Sequence, residues 1–86
     1  MDAKDAAKAR IDEIRDLLID LSHRIHANPE IGYEEVKSSE WAADALEEGG
    51  LTVERGACVL PTAFIARAGS GPLHVAICAE YDALPG

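Results

Sequence analysis

Leu73-His74-Val75-Ala76-Ile77-Cys78-Ala79, running straight into Glu80-Tyr81-Asp82-Ala83-Leu84-Pro85-Gly86, is the stretch on which the reading of the fold turns. Leu73, Val75 and Ile77 alternate with His74, Ala76 and Cys78, the period of a strand. The second set is also small and largely apolar, so the strand is expected to be covered on both faces. Side chains on a strand alternate sides, so Glu80 and Asp82 are expected to project the same way from its C-terminal end. In open α/β sheets that end is where ligands and reacting groups collect. Two readings follow. Glu80 and Asp82 form an acid pair that orients a ligand, holds a metal or handles a proton. Alternatively, Asp82 opens a turn, since Asp-x-x-Pro-Gly is ordinary turn chemistry.

Upstream, the period changes twice. Residues 3–27 read as one long helix: Ala3, Ala6, Ala7 and Ala9 favour it, and Ile11, Ile14, Leu18, Leu21 and Ile25 recur at helical spacing, with Leu17 widening the stripe. Asp20 and Arg24 are placed to pair at i, i+4. Asn28-Pro29 ends the helix, because proline disfavours helical geometry in the residue before it. The stripe is expected to pack against a sheet. Residues 34–48 form the second helix, with Glu34 and Glu35 in a first turn where the dipole favours negative charge. Val36, Ala43 and Leu46 share one face, flanked by Trp41, Ala42 and Ala45, and Gly49-Gly50 supplies a left-handed stop. From Leu51 the alternation is that of strands: Leu51 and Val53 against Thr52 and Glu54, then, past Pro61, a second strand over 62–68. Gly69-Ser70-Gly71-Pro72 turns the chain into the third. The order is helix, helix and three strands of an α/β class, joined as a meander.

Composition narrows the function classes. The chain has 86 residues, 48% of them hydrophobic, and eight basic against sixteen acidic residues, for a formal charge of −8. One small globular domain is expected, and a phosphate-backbone partner is disfavoured, so no nucleic acid. No stretch approaches the ~20 apolar residues of a membrane span, so no membrane partner is expected and a soluble, cytoplasmic location is. Cys58 and Cys78 lack Cys-x-x-Cys spacing and lie among apolar neighbours, which points to buried thiols.

The remaining candidates each have an ordinary counterpart. His23 and His26 stand at i, i+3, where two imidazoles can share a metal, yet no further ligand adjoins them except Glu30 beyond the helix stop. The alternative is that His26 closes the last carbonyls of its helix. His74 reads as a core or edge histidine, and Trp41 as a packing residue. Gly69-Ser70-Gly71 is not a phosphate cradle, because a strand rather than a helix follows it.

Two stretches carry a family resemblance. His23-Arg24-Ile25-His26-Ala27-Asn28-Pro29-Glu30-Ile31-Gly32-Tyr33-Glu34-Glu35 resembles an opening signature of the zinc-dependent amidohydrolase and metallopeptidase family of aminoacylases and hippurate hydrolases. The stretch from Glu80 to Gly86 resembles that family's first active-site block, in a form most similar to the branch of aminobenzoyl-glutamate hydrolases and related dipeptidases. The resemblance implies an α/β/α sandwich with a mixed sheet, of which residues 1–86 are the N-terminal segment, ending before the metal ligands and without the inserted lid domain. It implies two divalent metal ions, usually zinc, in the full-length enzyme, polarising a scissile amide and activating a bridging water, with a later glutamate as general base. It further implies a small-molecule N-acyl amino acid or dipeptide-like substrate, such as aminobenzoyl-glutamate, and a homodimer assembled through the lid.

Carried over by position, Asp82 matches the aspartate of the active-site block, with the implied role of orienting the metal centre from behind its ligands. Glu80 stands where many members have a ligand histidine. The amidohydrolase branch shares that departure and draws its early ligands from a cysteine and a histidine just after the block. No residue of 1–86 is therefore assigned as a metal ligand, no metal is expected on this segment alone, and the segment is expected to be catalytically silent. Two rival readings stand beside this one: a truncated remnant or small interaction module working through an exposed edge of the third strand, and an independent α+β domain with a chance match.

Overall fold

The computed structural model describes residues 2–85. Asp2 starts the first helix, its carboxylate accepting the Asp5 N–H at 2.8 Å, as an N-cap aspartate does. Helix α1 spans Ala3–Glu13 and α2 spans Arg15–Ala27. The single helix expected over 3–27 is thus two. At Ile14 the backbone leaves helical geometry (φ −106°, ψ 15°), and its N–H is shared between the Arg10 and Asp12 carbonyls. Hydrogen bonding still runs across the break, from Leu18 N–H to the Ile14 carbonyl at 3.0 Å. The expected Asp20–Arg24 pair forms, at 3.1 Å. Asn28, not His26, closes the end of α2: its side-chain amide donates to the Arg24 carbonyl at 2.9 Å, while His26 is exposed.

Helix α3 covers Val36–Glu48, so Glu34 and Glu35 precede it rather than forming its first turn. It stops where two glycines permit. Gly50 takes φ +97°, its N–H reaches the Glu47 carbonyl, and Leu51 N–H reaches the Leu46 carbonyl, both at 3.1 Å. That paired closure satisfies carbonyls the helix would otherwise leave open.

Strands β1 (Thr52–Arg55) and β2 (Phe64–Arg67) pair antiparallel, with Val53 opposite Ala66 and Glu54 opposite Ile65. The turn between them includes a short helical segment, Ala57–Val59. Helix α3 lies on this hairpin, and Arg55 joins the two through Asp44 at 2.6 Å. The buried apolar centre is small: Ala43 at 1% and Ala57 at 2% exposure, beside buried Ser38 and Thr62. Against expectation, the stripe on α1 and α2 does not pack on a sheet. No residue of either helix is buried; α2 meets α3, where the Arg24 guanidinium lies 5.2 Å from the centre of the Trp41 ring.

The third strand is the largest correction. Residues 73–79 join no sheet and are exposed throughout, Ile77 at 92%. A strand holds its geometry through a hydrogen-bonded neighbour, and β2 pairs only with β1 among the described residues. For the same reason His74 is neither core nor sheet edge. Cys58 and Cys78 are free and exposed rather than buried, one on the turn between the strands and the other in this unpaired stretch. The α/β class holds, as three helices and a two-stranded antiparallel sheet in place of two helices and three strands. No helix among the described residues is long and apolar enough to cross a membrane.

Candidate functional site

The acid-bearing stretch is held by two anchors that flank Asp82. On one side, the Tyr81 hydroxyl donates to the Thr62 carbonyl, and its ring stacks on Phe64 with centroids 6.2 Å apart and planes 12° from parallel. On the other, Ala83 N–H donates to the Glu30 carbonyl at 2.7 Å, forming an isolated parallel bridge between Ile31 and Ala83. The two stretches singled out in the sequence therefore meet in space. Between the anchors, Asp82 is exposed, as is Glu80.

Glu30 is fixed in turn by helix α3. Its carboxylate accepts Lys37 N–H at 3.0 Å and Ser38 N–H at 2.7 Å. These are the second and third amides of the helix, which lack partners within it. Glu35 occupies the N-cap position without capping through its side chain; its carboxylate instead accepts the Thr62 hydroxyl at 3.0 Å. Glu35, Thr62 and Tyr81 thus form a chain from the mouth of α3 to the acid-bearing segment. Beside it lies an open cleft of about 440 Å³, bordered by Val36, Ser39, Ala43, Pro61, Thr62 and Phe64.

The electrostatics follow from these partners. Desolvation pushes the Glu30 carboxyl upward, but hydrogen bonds from the Lys37 and Ser38 amides outweigh it, and the net shift is below the ordinary value of 4.5. The Tyr81 phenol moves above its ordinary 10.0, through partial burial first and the nearby Glu35 carboxylate second, with the Ser39 hydroxyl opposing. Both arrangements favour one protonation state at neutral pH: Glu30 ionised as acceptor, Tyr81 neutral as donor.

Of the expected site residues, the structure sets Asp82 between anchored neighbours and leaves Glu80 beside them, with no strand leading in. His23, His26 and His74 are all exposed and make no hydrogen bond or ion pair through their side chains among the described residues. Among the described residues, no group of three or more His, Cys, Asp and Glu side chains is placed to hold a metal ion. Glu30 and Tyr81 lie within the two signature stretches without a role assigned to them there, and Thr62 carries no signal in the sequence. A cap that reaches its amides from seven and eight positions away lies outside the local capping patterns.

Comparison with known proteins gives the same two stretches a wider setting. No family model and no solved structure matches the chain. It is 42% identical over 76 residues to a p-aminobenzoyl-glutamate hydrolase of Escherichia coli, covering 88% of this chain and 16% of that protein. It is 39% identical over 87 residues to thermostable carboxypeptidase 2 of Saccharolobus solfataricus, covering 99% and 22%. With N-acetyldiaminopimelate deacetylase of Oenococcus oeni it shares 38% identity over 73 residues, covering 79% and 19%. The chain spans about a fifth of the length of these relatives, and over that span it is similar to the amidohydrolases and peptidases they represent.

Proposed function

We propose that these residues serve a metal-dependent amidohydrolase that cleaves the amide bond of N-acyl amino acids or dipeptide-like substrates, aminobenzoyl-glutamate among them. Three relatives with different names, a hydrolase, a carboxypeptidase and a deacetylase, share amide cleavage as the common chemistry. The observation that carries the reading is the bridge between Ile31 and Ala83, which joins the segment bearing Asp82 to the Asn-Pro-Glu segment. In this reading residues 1–86 form the opening segment of the catalytic domain, and two divalent ions, zinc by preference, are held by residues outside it. Asp82 supports that centre from behind its ligands, and the segment alone is inactive. The complete enzyme works in the cytoplasm as a homodimer.

The test is hydrolysis of N-acetyl amino acids and aminobenzoyl-glutamate by the gene product that carries this chain, with and without a chelator. Turnover that a chelator removes and zinc restores is expected. A purified 1–86 chain that turned over these substrates, or a complete product inert toward all of them, would overturn the reading.

A second reading is favoured by one observation, the exposed and uncharged segment 73–79: an interaction module without catalysis, offering that segment as an edge to another chain. A complete product that captures a partner through residues 73–79 but hydrolyses none of the substrates decides for it.

A further inference from the structure

Asp82 has no hydrogen-bonded partner of its own among the described residues, yet both of its neighbours do. Tyr81 is tied by its hydroxyl to the Thr62 carbonyl and by its ring to Phe64. Ala83 is tied by its N–H to the main chain of Glu30. That main chain is not free to drift, because the Glu30 side chain is locked on two amides of α3. One residue thus joins the helix terminus to the acid-bearing segment: its carboxylate holds the helix and its carbonyl holds Ala83. The tyrosine anchor reaches α3 by a separate route, through Thr62 and the Glu35 carboxylate. Both routes end on the first turns of the same helix.

We propose that Glu30 and Tyr81 are positioning residues for Asp82, fixing its main chain from both sides so that its exposed carboxylate is presented in one orientation. The proposal rests on the reading of Asp82 as part of the hydrolytic centre. The physical reason for two anchors is that a carboxylate on a loose segment must be ordered at each turnover. Held in advance, it needs no reorganisation. A free aspartate in a turn would need neither anchor.

Tyr81→Phe removes only the hydroxyl and keeps the stacked ring. Glu30→Gln keeps the size of the side chain but offers one acceptor where the carboxylate offers two. Amide hydrogen exchange on the 86-residue chain reads the anchoring directly. In both variants Ala83 N–H is expected to exchange about tenfold faster, while the amides of the β1–β2 pair keep the parent's rates. In the complete hydrolase, each variant is expected to lower kcat about tenfold with KM unchanged, and Tyr81→Leu to lower it further. Unchanged exchange at Ala83 in both variants overturns the proposal, as does faster exchange with an unaltered kcat. Asp82→Asn separates it from the reading beneath it: full activity in that variant removes the catalytic role of Asp82 but leaves the exchange result standing.

Discussion

Glu30 and Tyr81 are set to lose their effect at opposite ends of the pH scale, and the signs follow from their partners. The Glu30 carboxyl is lowered in the folded chain. A lowered acid stabilises the fold above its unfolded pKa, and the effect fades as pH falls through the folded value. Glu30→Gln is therefore expected to lower stability by about 1 kcal/mol at pH 7, the scale of a helix cap, with the gap to the parent closing below pH 4.5. The Tyr81 phenol is raised, so its contribution is complete below its ordinary 10.0 and fades as pH climbs toward the folded value. Tyr81→Phe is expected to cost about 1 kcal/mol at pH 7, the worth of one hydrogen bond, with the gap closing above pH 10.0. Urea unfolding at acid, neutral and alkaline pH reads both. A gap that stays constant with pH in either variant removes the protonation state assigned to that residue.

At the scale of elements, what the sequence showed clearly was whatever one segment determines for itself. The Gly49-Gly50 stop, the Asp20–Arg24 pair and the alternation of β1 against β2 all depend on neighbours within a few positions, and each is present. What failed depends on partners elsewhere. Residues 73–79 have the pattern of a covered strand without a second strand to pair with. The stripe on α1 and α2 has no sheet to lie on. Glu30 reaches its helix from outside any local motif. The turn at 57–59 shows the converse, a local cost invisible to pattern: Val59 takes φ +63°, a conformation that crowds a β-branched side chain. Being 94% exposed, it has no packing to lose. Relief of that strain, at ~1–3 kcal/mol, exceeds the added freedom a glycine gives the unfolded chain, at ~0.4–1 kcal/mol. Val59→Gly is accordingly expected to raise stability by about 1 kcal/mol, seen as a higher Tm. A lower Tm would show that the turn does not adopt this geometry.

At the scale of the whole molecule, the surface is larger than the mass requires. A compact monomer of 9.2 kDa exposes about 4,900 Å², whereas this chain exposes 7007 Å². Its radius of gyration is 14.4 Å, against about 12 Å for a compact domain of the same length. Part of the exposed apolar surface lies along one stretch, where Leu73, Val75 and Ile77 are open to solvent without a charged residue among them. Such a segment, rich in strand-forming residues and lacking proline, pairs readily with a copy of itself. The overall charge of −8 opposes association at long range, but salt screens it within about 8 Å at physiological ionic strength, so contact between segments is set by their own surfaces. The 86-residue chain alone is thus expected to sediment faster as its concentration rises. Ile77→Lys, which sets a like charge on each strand of any pair, is expected to abolish that rise while leaving the β1–β2 hairpin and α3 unchanged by circular dichroism. A parent whose sedimentation did not depend on concentration would show that segment 73–79 does not pair with a copy of itself.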